Sequence, residues 1–131
     1  MSDRPVTLVG VCIDGSDGSA LANFYAGLLG WEITANDGDE WFQLRDPDGG
    51  VGLNIQQEAG YRPPVWPEKS GEQQKMMHFE VEVVDLDDAV DLALRLGGSE
   101  ASFQPPDRDQ SRIRVMLDPA GHPLCLFLHG E

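Results

Sequence analysis

Gly10-Val11-Cys12-Ile13-Asp14-Gly15-Ser16-Asp17 and His78-Phe79-Glu80-Val81-Glu82-Val83-Val84-Asp85 open the same pattern twice. Each leads into an apolar helical pattern that stops at a Leu-Gly pair, Leu29-Gly30 in the first case and Leu96-Gly97 in the second. Asp46-Pro47-Asp48-Gly49 then recurs as Asp118-Pro119-Ala120-Gly121. The offset is about 68 residues for the strand starts, 67 for the helix ends and 72 for the turns. Two weakly similar halves imply a pseudo-twofold fold, and such folds build their sites where the halves meet.

Outward from these anchors, alternation of Val9, Val11 and Ile13 with Gly10, Cys12 and Asp14 predicts a strand over residues 6–14. Ser16 or Asp17 caps the helix that follows, because a side-chain oxygen there accepts from the unpaired amides of the first turn. Leu21, Phe24, Tyr25, Leu28 and Leu29 recur at helical spacing, and Gly30 supplies the left-handed stop. Strands are expected near 31–35, 41–46 and 51–56, with Asp46-Pro47-Asp48-Gly49-Gly50 turning the last two. Gly60, Pro63, Pro64, Pro67 and Gly71 make the next stretch a crossover. A strand over 77–84, a helix over 86–96 capped by Asp85, and strands near 99–103, 111–118 and 123–129 complete the second half. The expected fold is α+β, two βαβββ modules in one domain spanning 1–131: module 1 about 5–57, crossover about 58–75, module 2 about 76–130.

Period-2 alternation divides each strand into two faces. Val9, Val11 and Ile13, Phe42 and Leu44, and Val51, Leu53 and Ile55 are apolar sets to be covered by the first helix. Phe79, Val81 and Val83, Ile113, Val115 and Leu117, and Leu124, Leu126 and Leu128 are the sets beneath the second. The opposite faces carry Gly10, Cys12 and Asp14, Trp41, Gln43 and Arg45, and Gly52, Asn54 and Gln56. In the second half they carry His78, Glu80 and Glu82, Arg112, Arg114 and Met116, and Cys125, Phe127 and His129. Tryptophan, cysteine, histidine, methionine and phenylalanine among charges suit a curved surface that holds a small molecule better than a plain solvated face.

Composition bounds the partners. Twenty-three acidic residues against nine basic ones give a formal charge of -14, which argues against nucleic acid and anionic membranes, since both call for a basic footprint. Met1-Ser2-Asp3-Arg4-Pro5 is polar with no apolar run after it, so no secretory signal is expected. No stretch approaches the roughly 18 apolar residues of a membrane span. Two cysteines without a framework fit a reducing compartment, and a cytoplasmic location is expected.

Phe24-Tyr25-Ala26-Gly27-Leu28-Leu29-Gly30-Trp31, His78-Phe79-Glu80-Val81-Glu82-Val83 and Asp118-Pro119-Ala120-Gly121-His122-Pro123-Leu124-Cys125-Leu126 together resemble the vicinal oxygen chelate superfamily of glyoxalases, extradiol dioxygenases and bleomycin-resistance proteins. The resemblance covers nearly the whole chain. It implies paired modules forming a sheet cup with helices on the outer face, and it implies homodimers. Members with metal chemistry take ligands from the first and last strand of each half, which here are Gly10, Asn54, His78 and Cys125.

That set departs from the family pattern of histidine and glutamate-type ligands. Gly10 has no side chain, and Asn54 is a neutral oxygen donor, poor for zinc and no substitute for a carboxylate on iron. A Cys12/His78/Cys125 set suits zinc chemically but displaces the first ligand by about 7 Å along its strand. No metal cofactor is therefore expected, and the implied function is a glyoxalase or bleomycin-resistance-like protein that binds a small molecule in the cup. The expected ligand-binding residues are Trp41, Gln43, Asn54, Gln56, Trp66, His78 and Cys125. The alternatives are a lyase, isomerase or dioxygenase using zinc or iron, a metal-free lyase or epimerase in which His78 and Glu80 are the catalytic pair, and an interaction module whose exposed sheet pairs with another subunit. Tyr61 and Trp66, on the stiff Tyr61–Pro67 crossover segment, are placed to cover a pocket mouth, a second subunit or a sheet edge. His122 and His129 receive no catalytic role, and there is neither a phosphate-cradling glycine loop nor a Gly-x-Ser-x-Gly elbow.

Overall fold

The computed structural model describes residues 5–129. The two ends of the expected domain, 1–4 and 130–131, lie outside the described residues. The element order is β1 (Gly10–Gly15), α1 (Gly18–Leu29), β2 (Glu32–Asp37), β3 (Trp41–Arg45), β4 (Gly52–Gln57), β5 (Phe79–Val83), α2 (Leu86–Arg95), β6 (Ser99–Glu100), β7 (Ile113–Leu117) and β8 (Pro123–Leu128). This is βαβββ twice. Two four-stranded sheets result, ordered β1-β4-β3-β2 and β5-β8-β7-β6, with a parallel pair at corresponding edges.

Both helices start and stop for local reasons. Asp17, of the two candidates, is the cap of α1, and its Oδ1 accepts from the Ala20 amide at 3.0 Å. Asp85 Oδ1 accepts from the Asp88 amide at 2.9 Å. Gly30 ends α1 at φ 69°, a left-handed geometry that costs glycine nothing. α1 packs on β3 and β4 and α2 on β7 and β8, and the two helices also touch each other. One continuous core joins the halves: Phe24 and Tyr25 from α1 are buried with Phe42, Leu44 and Ile55 from the first sheet and Met116, Leu124 and Leu126 from the second. Gly98 allows a close approach, since a Cβ there would lie 2.8 Å from both the Phe24 ring and the Leu117 carbonyl oxygen.

Three expectations are corrected. β1 begins at Gly10 because its partner begins at Gly52, whose amide already reaches back to the Val9 carbonyl; Val6, Leu8 and Val9 stay exposed. β6 stops at Glu100 because the side chain of Gln104 takes over the pairing. Its amide nitrogen donates to the Val115 carbonyl at 2.8 Å, and its amide oxygen accepts from the Val115 N–H at 2.8 Å. The faces of β7 are the reverse of those expected. Val115 pairs with Cys125 and Ile113 with Phe127, while Met116 pairs with Leu124 on the helix side and is fully buried. Arg114 is thereby placed on the helix side at the sheet edge, where it bonds Glu100 Oε2 at 3.3 Å and the Gln110 carbonyl at 2.7 Å.

Candidate functional site

The open face of the first sheet is laid out by register. Trp41 stands opposite Gln56, Gln43 opposite Asn54, and Cys12 opposite Asn54 from the other side. Trp41, Gln43 and Asn54 are half-buried, Gln56 and Cys12 exposed. Gln43 Oε1 accepts from the Thr34 hydroxyl at 3.1 Å. In the second sheet Glu80 stands opposite Cys125, the same relation that Cys12 has to Asn54. Asn54 and Cys125 are thus equivalent positions of the two modules, as are Gly10 and His78, two residues before Cys12 and Glu80, with Gly10 opening β1 and His78 just ahead of β5.

His78, Cys125 and Trp66 come together around one cavity of about 170 Å³. Its floor is the open face of the second sheet, Ile113, Val115, Pro123 and Cys125. The reversed register of β7 is what makes this floor apolar. Its wall is the crossover. The Trp66 indole N–H donates to the Phe103 carbonyl at 3.1 Å, and the two rings meet edge to face at 6.1 Å. Lys75 sits 5.0 Å above the Trp66 ring and pairs with Glu68 at 3.1 Å. Trp66 therefore closes one side of the cavity, and Gln104, Lys75 and Arg108, none of them singled out from sequence, contribute to its lining. The residues of the 101–110 segment carry no periodic signal, so only the fold brings them here. Trp41, Gln43, Asn54 and Gln56 do not line this cavity.

His78 Nε2 lies 3.6 Å from Glu80 Oε2 at the exposed rim. Burial, then the Glu80 charge, raises the Cys125 thiol above its ordinary pKa, against a smaller downward pull from Arg108 and Lys75. Burial and Asp14 raise Cys12 likewise. Both cysteines are free, and both are held toward the protonated form, the wrong direction for a thiolate nucleophile or ligand.

The positions expected to carry a metal do not fit one. Gly10 has no donor, and a Cβ on it would lie 3.3 Å from Asn54 Nδ2, so the amide occupies the space a ligand side chain would need. Among the described residues no three His, Cys, Asp or Glu side chains converge on a point that would hold a metal ion, where a catalytic zinc takes about three protein ligands.

A second cluster gathers on the Asp118–His122 segment, which the sequence presents as a turn and as part of the family-like motif. Asp118, with a fully buried side chain, receives the Tyr25 hydroxyl at 2.7 Å on Oδ2 and the amides of Ala120 and His122 at 2.9 and 3.0 Å on Oδ1. His122 Nδ1 lies 2.8 Å from Oδ2. The Tyr61 hydroxyl donates to the Ala120 carbonyl at 2.7 Å and lies 3.3 Å from His122 Nε2. Tyr61 thus anchors the start of the crossover as Trp66 anchors its middle. The Asp-Pro-x-Gly-His spacing and an aromatic on the buried stripe of α1 were the only signals. His129 pairs with Glu82 at 2.6 Å on the surface.

Comparison with known proteins agrees with this architecture. Residues 10–127 match the model of a family described as glyoxalase-like domain. A glyoxalase/bleomycin resistance protein from Albidiferax ferrireducens T118 superposes with a TM-score of 0.63 at 18% identity, covering 92% of this chain and 97% of that one. The glyoxalase family protein from Enterococcus faecalis gives 0.63 at 22% identity, with 92% and 96% covered. The trypanothione-dependent glyoxalase I of Leishmania major gives 0.61 at 15% identity, with 94% and 86% covered. No curated protein matches the sequence.

Proposed function

The chain belongs to the glyoxalase-like domain family, and from that premise we propose that it binds a small ring- or carbonyl-bearing molecule without a catalytic metal. The observation that carries this is the Trp66-walled cavity over Val115 and Cys125, an apolar recess with His78 and Gln104 at its margin. A volume of roughly 150 Å³ holds one benzene ring, which sets the size of the buried part of the ligand. The degenerate donor set supports binding without metal chemistry. A thermal-shift screen of aromatic and carbonyl compounds tests it. A ligand present at 100 times its Kd adds about 2.7 kcal/mol, so a true hit raises Tm by several degrees. A flat screen over the whole library sinks the proposal.

A second reading is favoured by one contact, the approach of His78 to Glu80. It makes the protein a metal-free lyase or epimerase in which this pair moves a proton on a bound carbonyl compound. Substituting His78→Ala separates the two: turnover of a carbonyl hit that vanishes in the variant means enzyme, whereas unchanged ligand affinity with no turnover in either form means binding protein.

Among the described residues no helix is long and apolar enough to cross a membrane. The free cysteines and the acidic charge support a cytoplasmic protein without nucleic-acid or membrane partners. The exposed Val9 and Val51 beside the Val11–Phe79 cleft support a homodimer. Sedimentation velocity is expected to show a species of twice the 14.4 kDa chain; a monomer at all concentrations overturns that assignment.

A further inference from the structure

The chemistry of the cavity lining runs against that of the chain. Acidic residues outnumber basic ones 23 to 9 overall, yet the lining contains Lys75, Arg108 and His78 and no aspartate or glutamate. Two of these cations have carboxylate partners outside the lining: Glu68 holds Lys75, and Glu80 faces His78. Arg108 is different. Its backbone amide closes a turn onto the Pro105 carbonyl, but its guanidinium has no ion pair with a carboxylate among the described residues, and the residue lines an apolar recess about one ring in size. Arginine presents a planar fork that suits a carboxylate better than a point charge does.

Resting on the binding function proposed above, we infer that the ligand is an anionic aromatic, a carboxylate on a single ring. The ring lies against Trp66 and Val115 and the carboxylate reaches Arg108. The lining favours an anion over a cation, because it offers Arg108 and Lys75 to an anion and no carboxylate to a cation. Lys75, already committed to Glu68 and to the Trp66 face, orients the indole and adds positive potential.

Isothermal titration with benzoate and phenylacetate against their neutral isosteres benzamide and phenylacetamide tests this on the full chain. The carboxylates are expected to bind about tenfold or more tighter than the amides. Arg108→Gln, on an exposed loop, is expected to remove most of that preference while leaving the amide affinities within about twofold. Amides binding as well as or better than carboxylates overturns the inference and leaves the proposed function standing. Retention of the preference in Arg108→Gln also overturns it, because the anion is then held elsewhere. Absence of binding by all four probes overturns the inference, and a hit in the wider aromatic and carbonyl screen then leaves the proposed function standing.

Discussion

Asp118→Ala is expected to lower the stability of the fold by about 3–5 kcal/mol. Against a typical total of roughly 5–15 kcal/mol, that is enough to threaten folding at growth temperature. The carboxylate has no exposed surface and receives one hydroxyl and two amide hydrogens, with the His122 ring alongside. Alanine leaves the Tyr25 hydroxyl, itself fully buried, without an acceptor, and each buried group so orphaned costs about 1–3 kcal/mol. The loss also loosens the joint between the halves, because Tyr25 belongs to α1 of the first module and Asp118 to the β7–β8 turn of the second. Urea denaturation reads the effect directly. Asp118→Asn, which keeps an acceptor for the two turn amides, is expected to lose about half as much. A loss below 1 kcal/mol for alanine would mean that water replaces the carboxylate and that this joint is looser than its distances imply.

The equivalent turn of the first module is an internal control. Asp46 makes the same local bond, its Oδ1 accepting from the Asp48 amide at 2.8 Å, but among the described residues no hydroxyl from the other half reaches it. Asp46→Ala is therefore expected to cost about 0.5–1.5 kcal/mol, the value of one exchanged hydrogen bond. Tyr25 adds a pH signature. Burial, then the Asp118 charge and hydrogen bond, raise its hydroxyl well above the ordinary tyrosine range. A raised folded-state pKa favours the native protein while the hydroxyl stays protonated. Above about pH 10 the unfolded chain releases this proton and the folded chain does not, so stability falls with rising pH there. Tyr25→Phe is expected to reduce that alkaline slope, the remainder coming from Tyr61, whose hydroxyl burial and Asp118 also raise.

The repeated motifs made the scaffold legible because caps and stops are local chemistry: Asp17, Asp85 and Gly30 act through amides within four residues of themselves. The face of β7 was not legible. Ile113, Val115 and Leu117 alternate with Arg112, Arg114 and Met116, and both Val115 and Met116 are buried, so both faces of the strand are needed inside. Only the register to β8 decides between them, and a one-residue slip exchanges the whole set. The same limit hid the cavity wall. Trp66, Lys75, Gln104 and Arg108 lie on two irregular segments about 40 residues apart that meet through the Trp66–Phe103 contact, and no periodicity links them. His78 and Cys125 were found because they sit at or beside strands whose alternation is readable. Asp118 and His122 were seen as a turn, since the partner that gives the turn its weight is Tyr25, 93 positions away.

Cys125→Trp is expected to abolish binding of a ring-bearing ligand, a loss of at least about 3 kcal/mol or roughly 100-fold, with Tm within a few degrees of the parent. The substitution stands at the centre of the cavity floor, opposite Val115 on one strand and Glu80 on the other. The recess of about 170 Å³ gives an indole room to enter without displacing the core, and aromatic residues suit a half-buried strand position. Asn54→Trp makes the same change at the equivalent position of the first module, where the open face carries Trp41, Gln43 and Gln56. It is expected to leave binding within about twofold. The pair decides which half holds the ligand. If the ligand bridged both sheets across a shared cup, both substitutions would weaken binding together; if it lay on the first sheet, only Asn54→Trp would. Binding lost in Cys125→Trp alone locates the ligand on the half where the crossover supplies a tryptophan wall and the loop after β6 supplies a cation.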